Sequence, residues 1–258
     1  MSHHLPPRPD CVAAWLAAAE YVDGQFGHEA HNVLIDVDDP TAGTSLADPI
    51  VSEVEAFLSA SGKSVVCVAN TIFPEALYRR HGAPAFMDVF HKKVLPKVRR
   101  SNRWSGYYFE RMTSYPTVNG EAINQIWSIV QRIRDEGNKS LNKFEVCLFD
   151  PERDIDNSPY GGQCLSFLSF KLLPGAEKRL ALTALYRNHY YIEKLLGNLI
   201  GLGRLMAFVA AEGGIGVGQL TVLSTHAKID QPGGVKRSDV TDLLKRCAKT
   251  RAGLEFAA

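Results

Sequence analysis

The sequence predicts an α+β or mixed α/β fold, on two observations. Amphipathic helical patterns are interleaved with short β-branched, strand-like runs, but without the strict strand–helix–strand regularity of a doubly wound fold. The chain has 258 residues, 45% of them hydrophobic, which is enough for a substantial core. The sequence contains no internal repeat, low-complexity tract or long linker, so we expect a single domain over residues 1–258.

The first half of the chain is predicted to be mostly helical. Asp10 is a typical N-cap, and the alanine-rich run behind it indicates a helix over 10–22. The spacing of apolar residues predicts further helices over 48–60, 74–80 and 84–98. Strands are predicted over 33–36 and 63–69, the latter from its β-branched density, and the aromatic run 105–112 is expected to be extended.

The second half supplies most of the predicted sheet. Apolar residues at helical spacing predict a helix over 121–136, after a turn at Asn119-Gly120. Strands are predicted over 143–149, 163–172, 178–187 and 217–226. Residues 188–211 are predicted to be helical, and a final helix is expected to begin at Ser238.

Composition excludes several classes of function. The formal net charge of +1 gives no global attraction for nucleic acid or an acidic membrane. The five cysteines include no CxxC pair and no Cys/His cluster at zinc spacing, so we expect no metal site. Cys67 and Cys147 lie in apolar, strand-like runs and are expected to be buried thiols in a reducing compartment. With no uninterrupted apolar stretch of about 18 residues, we expect a cytoplasmic protein without a membrane span.

Two motifs are better explained by structure than by function. The glycine-rich segment 213–218 follows a predicted helix and precedes a strand, whereas a phosphate-binding loop follows a strand and opens a helix. We therefore expect a helix C-cap and a tight turn there. The basic run Lys97 to Arg103 is interpreted as a solvated helix end, with anion binding as the alternative.

Cys164 is the strongest candidate for chemistry. It stands between a glycine pair and a strand, and glycines permit a ligand to approach the backbone closely. A nucleophilic thiol needs a nearby cation, which Arg187 can supply across adjacent strands. Asn198 lies in an apolar helix, where an unpaired amide would cost about 1–3 kcal/mol. Taken singly, a cysteine at the start of a strand, such as Cys164, is usually a small core residue. Arg187 and His226, taken singly, are interpreted as ordinary strand-end residues.

Taken together, these residues resemble the thymidylate synthase and pyrimidine nucleotide hydroxymethylase superfamily. In that family a nucleophilic cysteine heads a strand, the next strand ends in arginine, and an asparagine follows eleven residues later, as Arg187 and Asn198 do here (198 − 187 = 11). A later strand ends in Thr-His, here Thr225-His226. The family's Glu-Leu-Leu-Trp-x-x-x-Gly is matched loosely by 75–82, and its tyrosine-to-Trp-Pro stretch and Ile-Asp-Gln-Ile helix by 108–116 and 123–126. The resemblance is strongest over about 50–230.

The resemblance implies a thymidylate synthase-like α+β fold with a large mixed, twisted sheet flanked by helices, and a homodimer. It implies methylation or hydroxymethylation at C5 of a pyrimidine nucleotide through a covalent cysteine adduct, with 5,10-methylenetetrahydrofolate as the cofactor. The implied catalytic residues are Cys164, Glu75 and Tyr108, with Glu75 and Tyr108 handling water and protons. The implied substrate-binding residues are Arg187, Asn198, His226, Lys143 and Asn188; the cofactor-binding residues are not identified.

The sequence also departs from the family. Asn142-Lys143 replaces the paired arginines that bind phosphate across the dimer, and lysine cannot form their bidentate fork. Gln163 and Leu165 replace the proline and histidine that flank the cysteine, and Tyr190 replaces an aspartate that contacts the pterin. A divergent member acting on a modified or differently phosphorylated pyrimidine fits these changes. Two alternatives stay open: a nucleotide-binding pseudoenzyme that acts as a regulator, and an enzyme that adds the thiol without folate.

Overall fold

The structure, a computed structural model, describes residues 2–99, 106–135, 137–138, 140–155 and 162–257. Helices flank an eight-stranded mixed sheet, which confirms the α+β class. The strands are β1 (His3–His4), β2 (Arg8–Asp10), β3 (Glu29–Asp39), β4 (Tyr115–Pro116), β5 (Ala122–Ile123), β6 (Phe144–Cys147), β7 (Leu165–Leu173), β8 (Arg179–Tyr186), β9 (His189–Tyr190) and β10 (Gly216–Lys228). Strands β4 and β5 form a separate two-stranded ribbon.

The order of the strands brings distant residues to one edge of the sheet. The main order is β1-β3-β10-β8-β7-β6, with β2 also paired to β3 and β9 to β10. Strand β8 is parallel to β10, whereas β7 is antiparallel to β8 and β6. Leu165, the first residue of β7, is opposite Tyr186, the last residue of β8. Cys164 and Arg187, one residue beyond each, therefore lie side by side.

Eleven α-helices are found in the described residues. They are α1 (Cys11–Asp23), α2 (Pro49–Ser59), α3 (Val65–Ile72), α4 (Glu75–His81), α5 (Ala85–Val89), α6 (Leu95–Val98), α7 (Tyr108–Thr113), α8 (Gln125–Arg134), α9 (Pro151–Asp154), α10 (Leu196–Gly213) and α11 (Arg237–Ala257). Two π-helical turns, Phe90–Val94 and Tyr191–Leu195, lead into α6 and α10. The predicted N-caps are present: the carboxylates of Asp10 and Asp48 accept backbone N–H bonds at the starts of α1 and α2.

Helix α10 is the central helix of the core and packs against α1, α3 and α8. Two of its glycines permit close approach to α3. A Cβ on Gly197 would lie 2.7 Å from the Cβ of Val68, and one on Gly201 would lie 2.8 Å from the carbonyl oxygen of Ala69. Gly214 ends the helix in the left-handed conformation, φ 68°, and β10 begins two residues later, as predicted for the glycine-rich segment.

The helix that includes α10 is also the one candidate for a membrane span within the described residues. Tyr191–Gly213 is long and apolar enough by length and composition, with a mean hydropathy of 1.4. However, 78% of its most apolar 18-residue stretch is buried inside the protein. The segment therefore packs as an apolar helix within this fold.

The two faces of the sheet differ. One face carries buried side chains such as Leu168, Leu182 and Val222, which pack under the helices. On the other face, directly paired strands align a row of partly exposed apolar residues. The row consists of Leu34 on β3, Leu223 on β10, Leu185 on β8 and Phe167 on β7.

Two of the predicted elements are wrong. Residues 63–69 were expected to form a strand, but Val65–Ile72 is helix α3. The Ser64 hydroxyl caps it, and the Glu55 carboxylate accepts the N–H of Val65 at 2.6 Å. Packing of α3 against α10 outweighs the β-propensity of its valines. The described part of 105–112 is also not extended, because Tyr108–Thr113 forms helix α7; Ser105 lies outside the described residues.

Further differences concern boundaries and burial. Strand β3 is longer than the predicted 33–36, α8 begins only at Gln125, and residues 189–190 form β9 before the helix starts. Cys67 and Cys147 are exposed, not buried as expected. Cys67 lies on the outer side of α3, and Cys147 lies on the edge strand β6, opposite the partly exposed Phe167, so neither side chain reaches the core. Of the basic run, Arg100 to Arg103 lie outside the described residues.

Candidate active site

A cavity of about 260 Å³ lies beside the start of β7 and is bordered by α3, α7 and α10. The described residues that line it are Val68, Thr71, Gly106, Tyr107, Tyr108, Gly162, Gln163, Cys164, Lys194 and Asn198. Its volume is slightly below the roughly 300–1,000 Å³ typical of ligand pockets. Three of the residues singled out in the sequence, Cys164, Tyr108 and Asn198, meet around this cavity.

The segment before Cys164 fixes the position of the thiol. Gly162 has φ 76°, a left-handed conformation that favours glycine. The buried Gln163 donates from its amide to the carbonyl of Gly106 at 3.1 Å, and so ties the start of β7 to the segment that leads into α7. The side chain of Cys164 is half-buried at the cavity wall.

Two cations act on this thiol. The backbone N–H of Arg187 donates to the carbonyl of Cys164 at 2.9 Å, and the Arg187 Nε donates to the carbonyl of Gln163 at 3.0 Å. Burial raises the pKa of Cys164, whereas the positive charges of Arg187 and Lys194 lower this pKa. The cations thus oppose the cost of forming a thiolate in a partly dry site.

Tyr108 lines the cavity beside Cys164. The backbone N–H dipoles of Cys164 and Leu165 lower the pKa of its hydroxyl. Burial, the largest effect, raises the pKa of Tyr108 well above its ordinary value, so the hydroxyl keeps its proton at neutral pH. A protonated hydroxyl beside a nucleophilic thiol can donate or relay a proton.

Asn198 borders the cavity and is supported from inside the protein by a buried polar chain. Its Nδ2 lies 2.9 Å from Nε2 of His189, whose Nδ1 lies 3.0 Å from the Ser224 hydroxyl. Tyr191 donates to the same hydroxyl at 3.2 Å. The ring of Tyr186 stacks on His189, with centroids 3.9 Å apart.

The remaining polar atom of Asn198 has no partner. Asn198 is only 2% exposed, and its Oδ1 makes no hydrogen bond within the described part of the chain. An unpaired buried acceptor costs about 1–3 kcal/mol. Because Asn198 lines the cavity, a ligand that donates a hydrogen bond there would remove this cost.

Asn188 and His226 form a second polar pair next to Arg187. Nδ1 of His226 donates to Oδ1 of Asn188 at 2.9 Å, and the Thr225 hydroxyl donates to the carbonyl of Arg187 at 2.9 Å. Neither Asn188 nor His226 is among the residues that line the cavity. Asn188 follows Arg187 directly in the chain, and His226 lies on β10.

Glu75 and Lys143 are not brought together with Cys164. Glu75 forms ion pairs with Arg79 at 2.6 Å and Arg204 at 3.2 Å, and lines a different cavity of about 360 Å³ farther along α10. It therefore lies apart from Tyr108, with which the sequence associated it. Lys143 directly precedes β6, whose first residue, Phe144, is opposite Phe170 near the far end of β7. At a rise of about 3.3 Å per residue along β7, Lys143 is therefore roughly 20 Å from Cys164.

Two residues of the site, Lys194 and His189, were not predicted from the sequence. Lys194 is four residues before Asn198, a helical spacing that places both on one face, so this signal was available. His189 carried no such signal, because its role depends on β9 pairing with β10 beside Ser224. The charge of Lys194 lowers the pKa of the Cys164 thiol, and His189 lies within hydrogen-bond distance of the Asn198 amide.

The described cavity lining contains no acidic side chain. A pterin ring offers N–H donors, for which a carboxylate is the natural partner. Tyr190 stands at the position of the family's pterin-contacting aspartate. The described lining therefore offers a pterin no carboxylate.

No family model matches this sequence. Two curated proteins are distantly similar, both named "Putative thymidylate synthase". The one from Methanothermobacter thermautotrophicus is 29% identical over 149 residues, which cover 52% of this chain and 64% of that protein. The one from Methanothermobacter marburgensis is 29% identical over 107 residues, covering 42% and 45%. The chain thus spans less than two thirds of either relative, and the similarity supports a thymidylate synthase-like relationship over part of its length.

Proposed function

We propose that this chain is a thymidylate synthase-like enzyme that directs one-carbon transfer to C5 of a pyrimidine nucleotide through a covalent Cys164 adduct. The observation that carries the proposal is a half-buried thiol with two cations beside it, facing an unpartnered buried amide across one cavity. The names of the two distant relatives support a transferase of this kind.

Addition of the thiolate to the ring is the first step. A bond forms between Sγ of Cys164 and C6, the C5–C6 double bond opens, and its electron pair moves to O4 as an enolate, which makes C5 nucleophilic. Arg187 and Lys194 assist by favouring the thiolate. Tyr108, which keeps its proton, donates a hydrogen bond to O4 as negative charge develops there.

The rest of the substrate is assigned to neighbouring residues. Asn198 accepts an N–H from the ring at its unpartnered Oδ1. Arg187, whose charge favours the thiolate, also binds the phosphate, and the Asn188–His226 pair binds the sugar hydroxyl. The resemblance implies 5,10-methylenetetrahydrofolate as the donor, which when bound supplies the one-carbon unit, with hydride giving a methyl product and water a hydroxymethyl product. The described lining offers a pterin no carboxylate, and no residue is assigned to the folate.

A homodimer accounts for two features that a monomer leaves unexplained. The partly exposed row Leu34, Leu223, Leu185 and Phe167 gives one sheet face a continuous apolar strip, which a second copy would bury. Lys143 lies too far from Cys164 of its own chain to bind the same phosphate. A partner's copy of this lysine, as the family resemblance implies, would supply that contact.

The test of the proposed function is adduct formation. Wild-type protein is incubated with 5-fluoro-dUMP, with and without methylenetetrahydrofolate, and digested for mass spectrometry. We expect an adduct on the peptide that contains Cys164, its loss in Cys164→Ser, and its retention in the matched control Cys147→Ser, which changes an exposed thiol. Products from UMP, dUMP, CMP and dCMP then identify the reaction. Absence of any adduct or product contradicts the proposal.

A second candidate is thiol addition without folate, which the lack of a carboxylate in the described cavity lining favours. Here the enolate takes a solvent proton at C5, the original C5 hydrogen leaves as a proton, and the thiolate leaves C6. Tritium released from a C5-labelled nucleotide without folate supports this reaction. Nucleotide binding that survives Cys164→Ala, with no product or exchange in wild type, would instead indicate a pseudoenzyme.

A further inference from the structure

Asn198 is the group that borders the base in the proposed site, and its orientation is determined by His189. The Asn198 Nδ2 lies 2.9 Å from His189 Nε2, and both residues are 2% exposed. Water is therefore not available to replace this contact. Whichever ring nitrogen of His189 carries the proton decides whether the amide meets it with its N–H or with its oxygen.

The surroundings of His189 fix that proton. Burial lowers the pKa of His189 to about 3, so at neutral pH the ring is neutral and carries one proton. Since Nε2 accepts from Asn198, Nδ1 holds the proton and donates to the Ser224 hydroxyl at 3.0 Å. Stacking on Tyr186 keeps the ring in this plane.

We propose that His189 is a positioning residue that fixes the direction of the Asn198 amide and so selects a uracil ring over a cytosine ring. The inference rests on the proposed function, because it assumes that a pyrimidine occupies the cavity. One N–H of the amide is committed to His189, which leaves Oδ1 and the second N–H for the ligand. Uracil presents the matching pair, a donor at N3 and an acceptor at O4.

Cytosine requires the opposite arrangement. Its N3 is an acceptor and its C4 amino group is a donor, so the Asn198 amide would have to turn over. Oδ1 would then face the unprotonated Nε2, and two acceptors would be in contact. To remove this repulsion between Oδ1 and Nε2, the His189 proton must move from Nδ1 to Nε2, and the Ser224 hydroxyl must turn to donate to Nδ1. The orientation of the Asn198 amide is thus coupled, through the His189 tautomer, to the direction of the Ser224 hydroxyl.

The first measurement needs no ligand. Nitrogen NMR of histidine-labelled protein distinguishes the two neutral tautomers, and the His189 signals are identified by their loss in His189→Gln. We expect the Nδ1–H tautomer at neutral pH. An Nε2–H tautomer, or a charged ring, overturns the inference whether or not the proposed function is correct.

The second measurement compares nucleotides. Dissociation constants for dUMP and dCMP, and for UMP and CMP, are measured on wild type, His189→Gln and Ser224→Ala. Glutamine can either donate or accept, so we expect the preference for uracil to fall by about tenfold or more in His189→Gln, and by less in Ser224→Ala. His91→Gln is the matched control, because His91 is half-buried and bonded to the Thr113 hydroxyl but does not line the cavity.

The outcomes separate the inference from the proposed function. If wild type forms the Cys164 adduct but His189→Gln and Ser224→Ala keep its base preference, the inference is wrong and the proposed function stands. A wild-type preference for cytosine also overturns the inference. If no pyrimidine nucleotide binds at all, both fail. Since Ser224→Ala retains the histidine, failure of His189→Gln to fold still leaves a decisive comparison.

Discussion

Arg187 donates its backbone N–H to the carbonyl of Cys164 at 2.9 Å, so the cation and the nucleophile are fixed relative to each other by the sheet itself. The contact follows from the register of β7 and β8, in which Leu165 is opposite Tyr186. The guanidinium does not depend on a flexible approach to the thiol, because its Nε is also bonded to the carbonyl of Gln163.

The pKa of the Cys164 thiol should be higher than that of an ordinary cysteine, and removal of the Lys194 charge should raise it further. Removing this cation in Lys194→Met disfavours the thiolate, raises the pKa of Cys164 further and slows alkylation at any pH below that pKa. The measurement is the rate of iodoacetamide labelling of the Cys164 peptide against pH. Lys63→Met is the matched control, since Lys63 and Lys194 both pair with Glu193 but only Lys194 lines the cavity. Equal labelling profiles for the two variants would contradict the role of Lys194.

Removal of the Tyr108 hydroxyl should impair chemistry more than stability. Tyr108→Phe keeps the ring that packs against the core, so the free energy of unfolding should change by no more than about 1 kcal/mol. Loss of the hydroxyl that donates to O4 should slow adduct formation with 5-fluoro-dUMP by about 100-fold. Tyr115→Phe, which removes an exposed bond to the Phe149 carbonyl, is the control and should react at the wild-type rate. An unchanged rate in Tyr108→Phe would exclude this role of the hydroxyl.

The apolar row on the sheet predicts the oligomeric state. We expect wild type to sediment as a dimer and Leu223→Lys as a monomer, because a charge in the centre of the buried strip would be desolvated without a partner. Analytical ultracentrifugation measures this directly. Lys245→Glu on α11, an exposed change elsewhere, should leave the dimer intact. A wild-type monomer at all concentrations would refute the dimer.

His189 predicts a specific dependence of stability on pH. Its pKa is about 3 in the folded protein and 6.5 for an unperturbed histidine, so the unfolded chain binds the proton first as the pH falls. The unfolding free energy therefore decreases below pH 6.5, by at most about 1.4 kcal/mol per pH unit for this group. His189→Gln should show a flatter decrease than wild type in denaturant titrations between about pH 7 and pH 5. Parallel curves would mean that His189 is not buried neutral.

Close packing of α10 gives a prediction about stability alone. In Gly201→Ala the new methyl group would lie 2.8 Å from the carbonyl oxygen of Ala69 and 2.9 Å from the Cβ of Ile72, an overpacking that should cost about 1–3 kcal/mol. Gly253→Ala is the matched control, because nothing lies within 4 Å of its Cβ and alanine favours a helix by about 0.5–1 kcal/mol. Thermal unfolding of the two variants should therefore shift in opposite directions.

Much of the sheet was predictable from the sequence, for a physical reason. Strands β6, β7, β8 and β10 are buried on one face, so their apolar patterns match their structure, and Gly214 caps α10 as its position suggests. The helices α3 and α7 were not predictable, because their valines and aromatic residues favour strands in isolation and become helical through packing and capping.

The candidate site was partly predictable. Cys164, Tyr108, Arg187 and Asn198 were found from their order and spacing, and the structure brings them together. The contact between His189 and Asn198 depends on β9 and on Ser224 from a distant strand, which no local pattern encodes. The association of Glu75 with Tyr108 rested on a loose match, and the two residues border different cavities. A single domain, a cytoplasmic location and the individual residue roles stay predictions.

The glycines of α10 have a consequence for how such a protein can change during evolution. Gly197 and Gly201 lie on the helix that carries Asn198, and each abuts α3. A larger residue at either position would displace the helix, and the amide with it, without touching any ligand. Mutations that alter what the cavity binds can therefore arise in the interior of the protein, at positions that do not themselves line the cavity.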